Sequence, residues 1–309
     1  MKRKRARRII SLLLTFVMVL SLSVSWTMAT GEGVLTEEID LSQMYRKYDL
    51  KTGEVSLVPR YAPPQYRDGQ RITSTEPFNP VAEKEILGDR SIIGTDGRTQ
   101  VTSTTSSPYY RIAKLVMTYT DGTSAEGTGF MVSGNVLLTA GHCCMSTSNA
   151  SLSSMTVYLG RNGTYTPITA SVSYYYVCAN FTYYNDDDKD DYAIVVLSTS
   201  PGNTTGWFGL GYQNDTFFLN NTFTITGYPG DKTYGTMWKA SGSVNNCATY
   251  VLNHSIDTYA GESGAPLYSS SNVVYGIQVS GVNPSSQYNH CRRMTQEVVD
   301  WLIAQGLIS

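Results

Sequence analysis

Residues 135–143 read NVLLTAGHC, an apolar run followed by a turn that contains a histidine. Short runs of apolar and β-branched residues, bounded by Gly, Asn, Ser and Pro, are typical of strands in an all-β protein. The other runs of this kind are Ile112–Tyr119, Gly129–Val132, Met155–Leu159, Ala193–Leu197, Phe223–Thr226 and Val273–Val279. Many short strands at close spacing predict a β-sandwich or barrel, built as one domain or as two small packed barrels.

The C-terminus carries the one convincing helix of the sequence. Thr295 can cap its first turn, and apolar residues follow at helical spacing, namely Val298, Trp301, Leu302 and Ile303. We therefore predict an all-β protein that ends in a helix.

The N-terminal part of the chain predicts a targeting and leader region. A basic stretch over residues 1–8 precedes the apolar stretch Ile9–Val24 and small residues up to Ala29. This pattern predicts a signal peptide cleaved after Ala29, with an uncleaved membrane anchor as the alternative. Residues 30–90 are rich in charge and proline without a strong apolar period. They predict a pro-segment or flexible leader, or an extension that stays attached, before a folded domain at residues 91–309.

The composition is that of a mildly acidic extracellular protein. The whole chain has a net charge of −2, but residues 91–309 carry nine basic and 14 acidic side chains, a net charge of −5. A domain of this charge has no electrostatic reason to bind nucleic acid. No segment after the signal is apolar enough to cross a bilayer, and nothing signals oligomerisation. We expect a secreted monomer that contacts neither nucleic acid nor, once the signal is cleaved, a membrane.

Cysteine and histidine usage limits the possible metal sites. Secretion allows disulfides, and an odd number of cysteines leaves a free thiol or an intermolecular partner. The spacing alone does not fix the pairing of the five cysteines, Cys143, Cys144, Cys178, Cys247 and Cys291. The sequence has no Cys-x-x-Cys pair and only three histidines, which argues against structural zinc. We expect no metal and no cofactor.

Three residues far apart in the chain have the local settings that nucleophilic catalysis requires. Ser263 lies between Gly261 and Gly264, which allow a tight turn that exposes a hydroxyl and frees backbone N–H groups. A serine needs a base within hydrogen-bonding reach and an acid that orients the base. His142 follows one apolar strand, and Asp191 opens another. We predict that the three side chains meet, with the N–H groups of Gly261 and Ser263 as an oxyanion hole.

The chain order of these residues excludes rival arrangements of the same groups. An α/β-hydrolase needs Ser, then Asp or Glu, then His, but no Asp or Glu lies between Ser263 and His290. A subtilisin-like order needs an Asp before His142, and Asp96 and Asp121 lack a supporting context. The order His, Asp, Ser is therefore retained.

The acidic run at residues 186–191 contains two candidates for the orienting acid. Asp191 is preferred over Asp190 because it directly adjoins the apolar strand. We interpret most of the run as a solvated loop, with an ion-binding loop as the alternative. His254 and His290 lack a catalytic context and are interpreted as structural or surface residues.

From Ser91 to its C-terminus the chain resembles the secreted bacterial glutamyl endopeptidases, the V8-like members of the chymotrypsin clan of serine proteases. The motifs that carry the resemblance are Ser91–Thr99, Thr139–Cys143, Gly160–Thr164, Gly227–Lys232, Asp257–Gly264 and Tyr288–Val299. The resemblance implies a chymotrypsin-like double six-stranded β-barrel with the active site between the barrels. His142 and Asp191 would come from the first barrel and Ser263 from the second.

The resemblance also implies a secreted serine endopeptidase that acts on proteins or peptides and is made as a proenzyme. Processing is expected between Arg90 and Ser91. In that family the freed α-amino group helps to shape the S1 pocket, the cavity that holds the side chain before the cut. An alternative is that Ile92 inserts beside Glu262, as animal relatives insert a new N-terminus beside an Asp.

Three positions depart from the family pattern. The histidine that reads glutamate is replaced by Gln278, which carries no positive charge, so a Glu or Asp preference is in doubt. Thr258, the other S1 position, is retained. The usual cysteine partner of Cys143 is replaced near Gly127, and Cys291 stands where the family has a glycine on the pocket wall.

The cysteine positions suggest two disulfides. We expect Cys247 to pair with Cys291 across neighbouring strands, and Cys178 to pair with Cys143 or Cys144.

Two other functions are compatible with the sequence. One is a secreted binding module that keeps the protease fold without activity, against which the complete set of catalytic residues argues. The other is an esterase that uses the same chemistry.

Overall fold

The computed structural model describes residues 25–29, 34–61, 92–183, 188–281 and 287–309. The chain divides into two compact units, Met1–Asp40 and Leu41–Ser309. In the first unit, strands β1 (Ser25–Ala29) and β2 (Val34–Glu38) pair antiparallel. The basic and apolar parts of the predicted signal peptide lie outside the described residues, as does the predicted processing point. No helix in the described part of the chain is long and apolar enough to cross a membrane.

The second unit is built almost entirely from strands. In chain order these are β3 (Met44–Asp49), β4 (Val55–Pro59), β5 (Thr99–Val101), β6 (Ile112–Tyr119), β7 (Ser124–Met131), β8 (Val136–Thr139), β9 (Leu152–Leu159), β10 (Ile168–Cys178), β11 (Ala193–Leu197), β12 (Gly209–Leu210), β13 (Thr222–Gly227), β14 (Met237–Cys247), β15 (Val251–His254), β16 (Pro266–Tyr268), β17 (Val273–Ser280) and β18 (Asn289–Arg293). The helices are α1 (Gly202–Thr205), α2 (Asp215–Leu219) and α3 (Gln296–Ala304).

The first barrel is a closed antiparallel ring of six strands. Its order is β6–β7–β8–β11–β10–β9, and β9 returns to β6. Strands β8 and β11 are buried along their whole length, which explains why their sequences are apolar runs except for Thr139 at the end of β8. The hairpin of β3 and β4 extends this sheet, because β3 pairs with the second half of β10.

The second barrel repeats this closure with six other strands. Its order is β13–β14–β15–β18–β17–β16, and β17 pairs with β18 as well as with β16. Strand β5 adds to β14, and β12 adds to β17 in parallel. The two closed barrels and the C-terminal helix confirm the predicted fold.

The two longest strands described, β10 and β14, were not predicted from the sequence, and they are rich in small polar residues or tyrosine. Strand β10 reads ITASVSYYYVC and β14 reads MWKASGSVNNC. Such sequences lack a clear apolar period, and pairing with neighbours on both sides stabilises them instead. The expectation of a flexible leader is wrong for β3 and β4, which form a regular hairpin.

Helix α3 begins where the sequence indicated but presents a different apolar face. Thr295 is the N-cap residue, although its side chain makes no capping hydrogen bond. Val298, Trp301 and Leu302 are buried, whereas Ile303 is 39% exposed and Val299 is buried in its place. The helix therefore packs through a face that includes Val299 rather than Ile303.

The predicted disulfides are absent, since all five cysteines are free thiols. Leu252 of β15 pairs with Cys247 on one side and with Cys291 on the other. A whole strand thus separates these two cysteines, and two strand spacings of roughly 5 Å exceed the reach of a disulfide. Cys178 is instead fully buried, and this burial raises the pKa of its thiol.

Candidate active site

His142 and Asp191 meet because the strands that carry them are neighbours in the first barrel. The antiparallel register sets Thr139, at the end of β8, opposite Ala193, at the start of β11. His142 lies in a short 3-10 turn after β8, and Asp191 lies just before β11. The two side chains therefore occupy the same end of the barrel, as predicted from the local sequences.

The carboxylate of Asp191 holds His142 through both of its oxygens. Oδ1 accepts the backbone N–H of His142 at 2.9 Å, and Oδ2 lies 2.8 Å from Nδ1 of the imidazole. Because a carboxylate only accepts, the ring proton is on Nδ1. Nε2 is then free to accept a proton, and it lies 2.6 Å from the hydroxyl oxygen of Ser263. The structure thus brings the three predicted side chains into one hydrogen-bonded chain.

Glycines make the turn at Ser263 possible. Gly261 and Gly264 have φ angles of 96° and 83°, a region that favours glycine. A Cβ atom on Gly264 would overlap the carbonyl oxygen of Thr128 and the hydroxyl of Thr139. The serine turn therefore packs directly against the first barrel, and Ser263 as a whole is only 4% exposed.

Thr128 of β7 connects the two barrels and was not identified from the sequence. Its N–H donates to the carbonyl oxygen of Ser263 at 2.7 Å, and its hydroxyl donates to that of Gly261 at 2.8 Å. The same hydroxyl accepts the N–H of Tyr228 at 3.1 Å. Thr139 donates to the Thr128 carbonyl. The only local signal was the pair of glycines around it, Gly127 and Gly129.

Two backbone donors of the serine turn are available to a ligand. The N–H groups of Glu262 and Gly264 are occupied by the carbonyl oxygens of Tyr259 and Gln278. Within the described part of the chain, the N–H groups of Gly261 and Ser263 donate to no protein acceptor. These are the two donors that the sequence predicted for an oxyanion hole.

The predicted S1 residues Thr258 and Gln278 contact each other in a buried polar cluster. The Gln278 amide nitrogen donates to Thr258 Oγ1 at 3.3 Å and to the carbonyl oxygen of Ser280 at 2.9 Å. Its amide oxygen lies 2.8 Å from His254 Nε2 and 3.3 Å from the Cys291 thiol. Both polar ends of Gln278 are therefore engaged inside the second barrel.

His254 is a structural member of this cluster and carries no charge near neutral pH. Its Nδ1 accepts the N–H of Ile256 at 3.2 Å, so its proton is on Nε2 and is donated to Gln278. Complete burial lowers the pKa of His254 to about 4. Burial also raises the pKa of the Cys291 thiol. The cluster behind Thr258 is therefore neutral.

A buried arginine lies beside the residue that precedes the serine. The Arg98 guanidinium is fully buried, with Nη1 3.7 Å from Glu262 Oε2, and it also hydrogen-bonds Asp96 and Asp231. Hydrogen bonding by Arg98 holds the pKa of Asp96 well below its ordinary value. Nothing in the local sequence indicated this cluster. The expectation that Ile92 lies beside Glu262 concerns a processed chain and stays a prediction.

The segment around Arg98 is held close to Thr258. The neighbouring carboxylate, Asp257, accepts the N–H groups of Ile93 and Gly97, each at 2.8 Å. The first residues of the predicted folded domain are therefore fixed beside the predicted S1 wall.

The acidic run is not a solvated loop over the residues that the structure describes. Asp188 lies 3.2 Å from Nδ1 of His290, and Asp190 forms a 2.7 Å ion pair with Arg60. Asp190 is only 2% exposed. The interpretation as a solvated loop is therefore wrong for these two residues. In the described residues, no group of three or more His, Cys, Asp or Glu side chains could hold a metal ion.

The trypsin family is matched by residues 100–302. An extracellular metalloprotease of Bacillus subtilis is 34% identical over 84% of this chain and 85% of its own length. That coverage exceeds the 219 residues from Ser91 to Ser309, so this similarity extends into the leader. A glutamyl endopeptidase of Bacillus licheniformis is 37% identical over 68% of this chain and 67% of its own.

Solved structures agree with these matches. A Glu endopeptidase in complex with MPD superposes with a TM-score of 0.63 at 27% identity, covering 70% of this chain and all of the other. A collagenase superposes with a TM-score of 0.55 at 17% identity, covering 72% of this chain and all of the other, which supports the fold alone. The name of the B. subtilis relative differs from the others because it implies catalysis by a metal.

Proposed function

The chain belongs to the trypsin family of serine proteases and, within it, to the V8-like endopeptidases, and from this membership we propose that Asp191, His142 and Ser263 are its catalytic triad. The chain is a serine endopeptidase. The observation that carries the triad is the unbroken chain of contacts from Asp191 Oδ2 through the imidazole to Ser263 Oγ, at 2.8 Å and 2.6 Å.

The proposed reaction proceeds through an acyl-enzyme. Ser263 Oγ attacks the peptide carbonyl carbon while His142 Nε2 takes its proton, and Asp191 stabilises the imidazolium. The C–N bond then breaks, and His142 gives the proton to the departing amine. Water attacks the ester, His142 takes its proton, and the proton returns to Ser263 as the acid product leaves. The N–H groups of Gly261 and Ser263 bind the oxyanion in both steps.

We test the triad with Ser263→Ala and its matched control Ser270→Ala, an exposed serine of the same barrel. Ser263→Ala is expected to lower kcat/KM by roughly 10³-fold or more while the fold is retained, because the nucleophile is lost. A fluorophosphonate probe should label the wild type and Ser270→Ala but not Ser263→Ala. Activity of Ser263→Ala above a trace would reject the assignment.

Chelation tests the alternative that the name of the B. subtilis relative implies. Treatment with EDTA is expected to leave kcat/KM unchanged, because no step of the proposed reaction uses a metal. Loss of activity in EDTA that is restored by zinc would contradict the serine mechanism.

In the proposed S1 pocket, the neutral hydroxyl of Thr258 hydrogen-bonds the substrate side chain that precedes the cut. Thr258 Oγ1 accepts from Gln278, so its own proton can be donated to a side chain in the pocket. Gln278 supports Thr258 from behind and, with His254, supplies no positive charge. These three side chains therefore offer a glutamate before the cut a hydrogen bond but no ion pair, which leaves the α-amino group freed at Ser91 as the positive charge expected near S1.

This pocket is expected to accept Gln and Glu before the cut with kcat/KM values within about tenfold of each other, because hydrogen bonds to charged and neutral groups differ by roughly 1 kcal/mol. The measurement uses peptides that differ only at this residue. Thr258→Val should reduce cleavage after both residues more than cleavage after Leu. A preference for Glu over Gln above about 100-fold would contradict recognition by these neutral side chains alone and would show that a positive charge, such as the α-amino group freed at Ser91, contacts the substrate carboxylate.

Secretion and processing complete the proposal. The predicted signal at residues 1–29 and the extracellular relative of B. subtilis support export. We assign residues 30–90 as a leader that is cut between Arg90 and Ser91, and we assign a monomeric enzyme that acts on proteins or peptides.

A further inference from the structure

The hairpin of β3 and β4 lies within the predicted leader, yet it packs as part of the first barrel. Residues Tyr45–Asp49 pair antiparallel with Tyr174–Cys178 over five residue pairs. The ladder continues into the next residue, since Ala179 donates its N–H to the Met44 carbonyl at 2.8 Å. Without the hairpin, this half of β10 would lose its hydrogen-bonding partner on one side.

Tyr45 of the hairpin fills an aromatic pocket between the barrel and helix α3. It is 1% exposed, its ring centroid lies 4.5 Å from that of Trp301, and its hydroxyl lies 2.6 Å from that of Tyr192. The Trp301 indole N–H donates to the Pro59 carbonyl at 2.7 Å. Loss of the hairpin would expose the fully buried Trp301 and leave its N–H without this acceptor.

The end of the hairpin carries the ion-pair partner of Asp190. Arg60 Nη1 lies 2.7 Å from Asp190 Oδ1, and the two side chains are 7% and 3% exposed. Arg60 also donates to the Ser42 carbonyl and the Tyr192 hydroxyl. Without Arg60, the carboxylate buried immediately before Asp191 would lose its ion-pair partner, which is strongly unfavourable even though Arg292 lies near, with its Nε donating to the Lys189 carbonyl at 2.6 Å.

We propose that the leader hairpin, residues 41–61, is a permanent part of the working protease, and that Arg60 is a positioning residue for Asp191. Cleavage between Arg90 and Ser91 leaves the hairpin bound as a second, non-covalent chain. Arg60 fixes Asp190, and Asp190 in turn fixes the backbone that presents Asp191 to His142. This inference rests on the proposed triad.

The first experiment follows the hairpin after cleavage. The purified full-length wild type is allowed to process, or is nicked briefly with trypsin, and is separated by size-exclusion chromatography. Intact-mass measurement is expected to find a fragment containing residues 41–61 in equal amount with the fragment that begins at Ser91, and to find them separated only in denaturant. An active fraction that lacks the leader fragment would overturn the proposal.

A fluorophosphonate label on the same fractions separates the two possible failures. Labelled enzyme without the leader fragment would reject the present inference alone. Enzyme that retains the leader fragment and cleaves peptides but takes no label would reject the triad on which it rests.

The second experiment tests Arg60 with Arg60→Gln, Arg60→Lys and the double variant Arg60→Gln/Asp190→Asn. Lys47→Gln is the matched control, because Lys47 lies on the same hairpin over the Tyr174 ring. Arg60→Gln is expected to lower kcat by about tenfold with little change in KM, since the substrate site is not touched. An uncompensated carboxylate favours imidazolium, so the acid limb of the kcat/KM profile should move to higher pH.

Rescue distinguishes positioning from simple loss of packing. Arg60→Lys and the double variant should restore the acid limb, because one supplies a cation and the other removes the anion. A pH profile of Arg60→Gln that coincides with that of Lys47→Gln would overturn the role of Arg60. If Arg60→Gln does not fold, the wild-type fractions still decide whether the hairpin is retained.

Discussion

The two loops that carry Asp191 and Ser263 of the proposed triad are each fixed by a buried arginine, but in different ways. Arg60 meets Asp190 as a single pair that is almost closed to solvent, with side chains 7% and 3% exposed. Arg98 meets Glu262 within a larger cluster that also contains Asp96 and Asp231, which are 33% and 25% exposed. We call each arginine with its carboxylates an anchor. The Arg60 anchor is balanced in charge, whereas the Arg98 anchor holds three carboxylates around one guanidinium.

The two arginine ion pairs, Arg60–Asp190 and Arg98–Glu262, nevertheless occupy equivalent positions in their loops. In both loops the arginine pairs with the acidic residue immediately before a member of the proposed triad, so the triad side chain itself is not used in the ion pair. The arginines come from opposite sides of the predicted processing point, Arg60 before it and Arg98 after it. The intact chain therefore already supplies both anchors, and Lys232, 2.7 Å from Asp96, supplies part of the missing positive charge in the second.

The largest effect is expected for Arg98→Gln, which tests whether the Arg98 cluster stabilises the serine loop. It is measured in the Ser263→Ala background to prevent self-cleavage. Removing the guanidinium leaves Glu262 buried without Arg98, and breaking such a buried pair costs about 4 kcal/mol. The free energy of unfolding, measured with urea, should fall by that amount. In the active background, kcat should fall as well, because the proposed oxyanion donors, Gly261 and Ser263, move with the loop.

Arg111→Gln is the matched control for this measurement. Arg111 hydrogen-bonds the Trp207 carbonyl and the Ser107 hydroxyl, both uncharged. Its loss should cost roughly 1 kcal/mol. Equal losses for Arg98→Gln and Arg111→Gln would show that the carboxylate cluster is no anchor.

Local sequence was sufficient to predict the groups that depend on neighbouring residues. The apolar run before His142 and the one after Asp191 form adjacent strands, so their register alone brings the two side chains together. The glycines around Ser263 likewise indicate a tight turn. These features are encoded within a few residues and are visible before any tertiary contact is known.

The anchors could not be predicted because their partners are far apart in the chain. Arg60 and Asp190 are separated by 130 residues, and neither has a local motif. The same limitation explains the wrong disulfide between Cys247 and Cys291, since only the sheet order reveals that Leu252 lies between them. The composition of residues 30–90 predicted a flexible leader for a related reason. Strand β3 is stabilised by pairing with β10, and its own sequence has no strong apolar period that would indicate a strand.

A smaller effect is expected for the pH dependence of stability in the second barrel. The Arg98 cluster of this barrel is charged, whereas the buried cluster of Gln278, His254 and Cys291 behind Thr258 is neutral. The pKa of His254 is lowered by burial from its ordinary 6.5 to about 4. Between pH 6.5 and about pH 4, His254 is protonated in the unfolded chain but neutral in the folded chain. The free energy of unfolding therefore falls as the pH falls through this range. The full loss is about 3 kcal/mol.

His254→Gln, again in Ser263→Ala, should remove most of this acid sensitivity because glutamine does not titrate. Urea unfolding at pH 7 and pH 4.5 measures the difference, with His290→Gln as the matched control that leaves His254 in place. Asp96, whose pKa is lowered below its ordinary 3.8, titrates outside this window and does not obscure it. If His254→Gln lost as much stability between the two pH values as the control, the neutral core would not be the acid-sensitive part of this barrel, and the charged cluster at Arg98 would take its place.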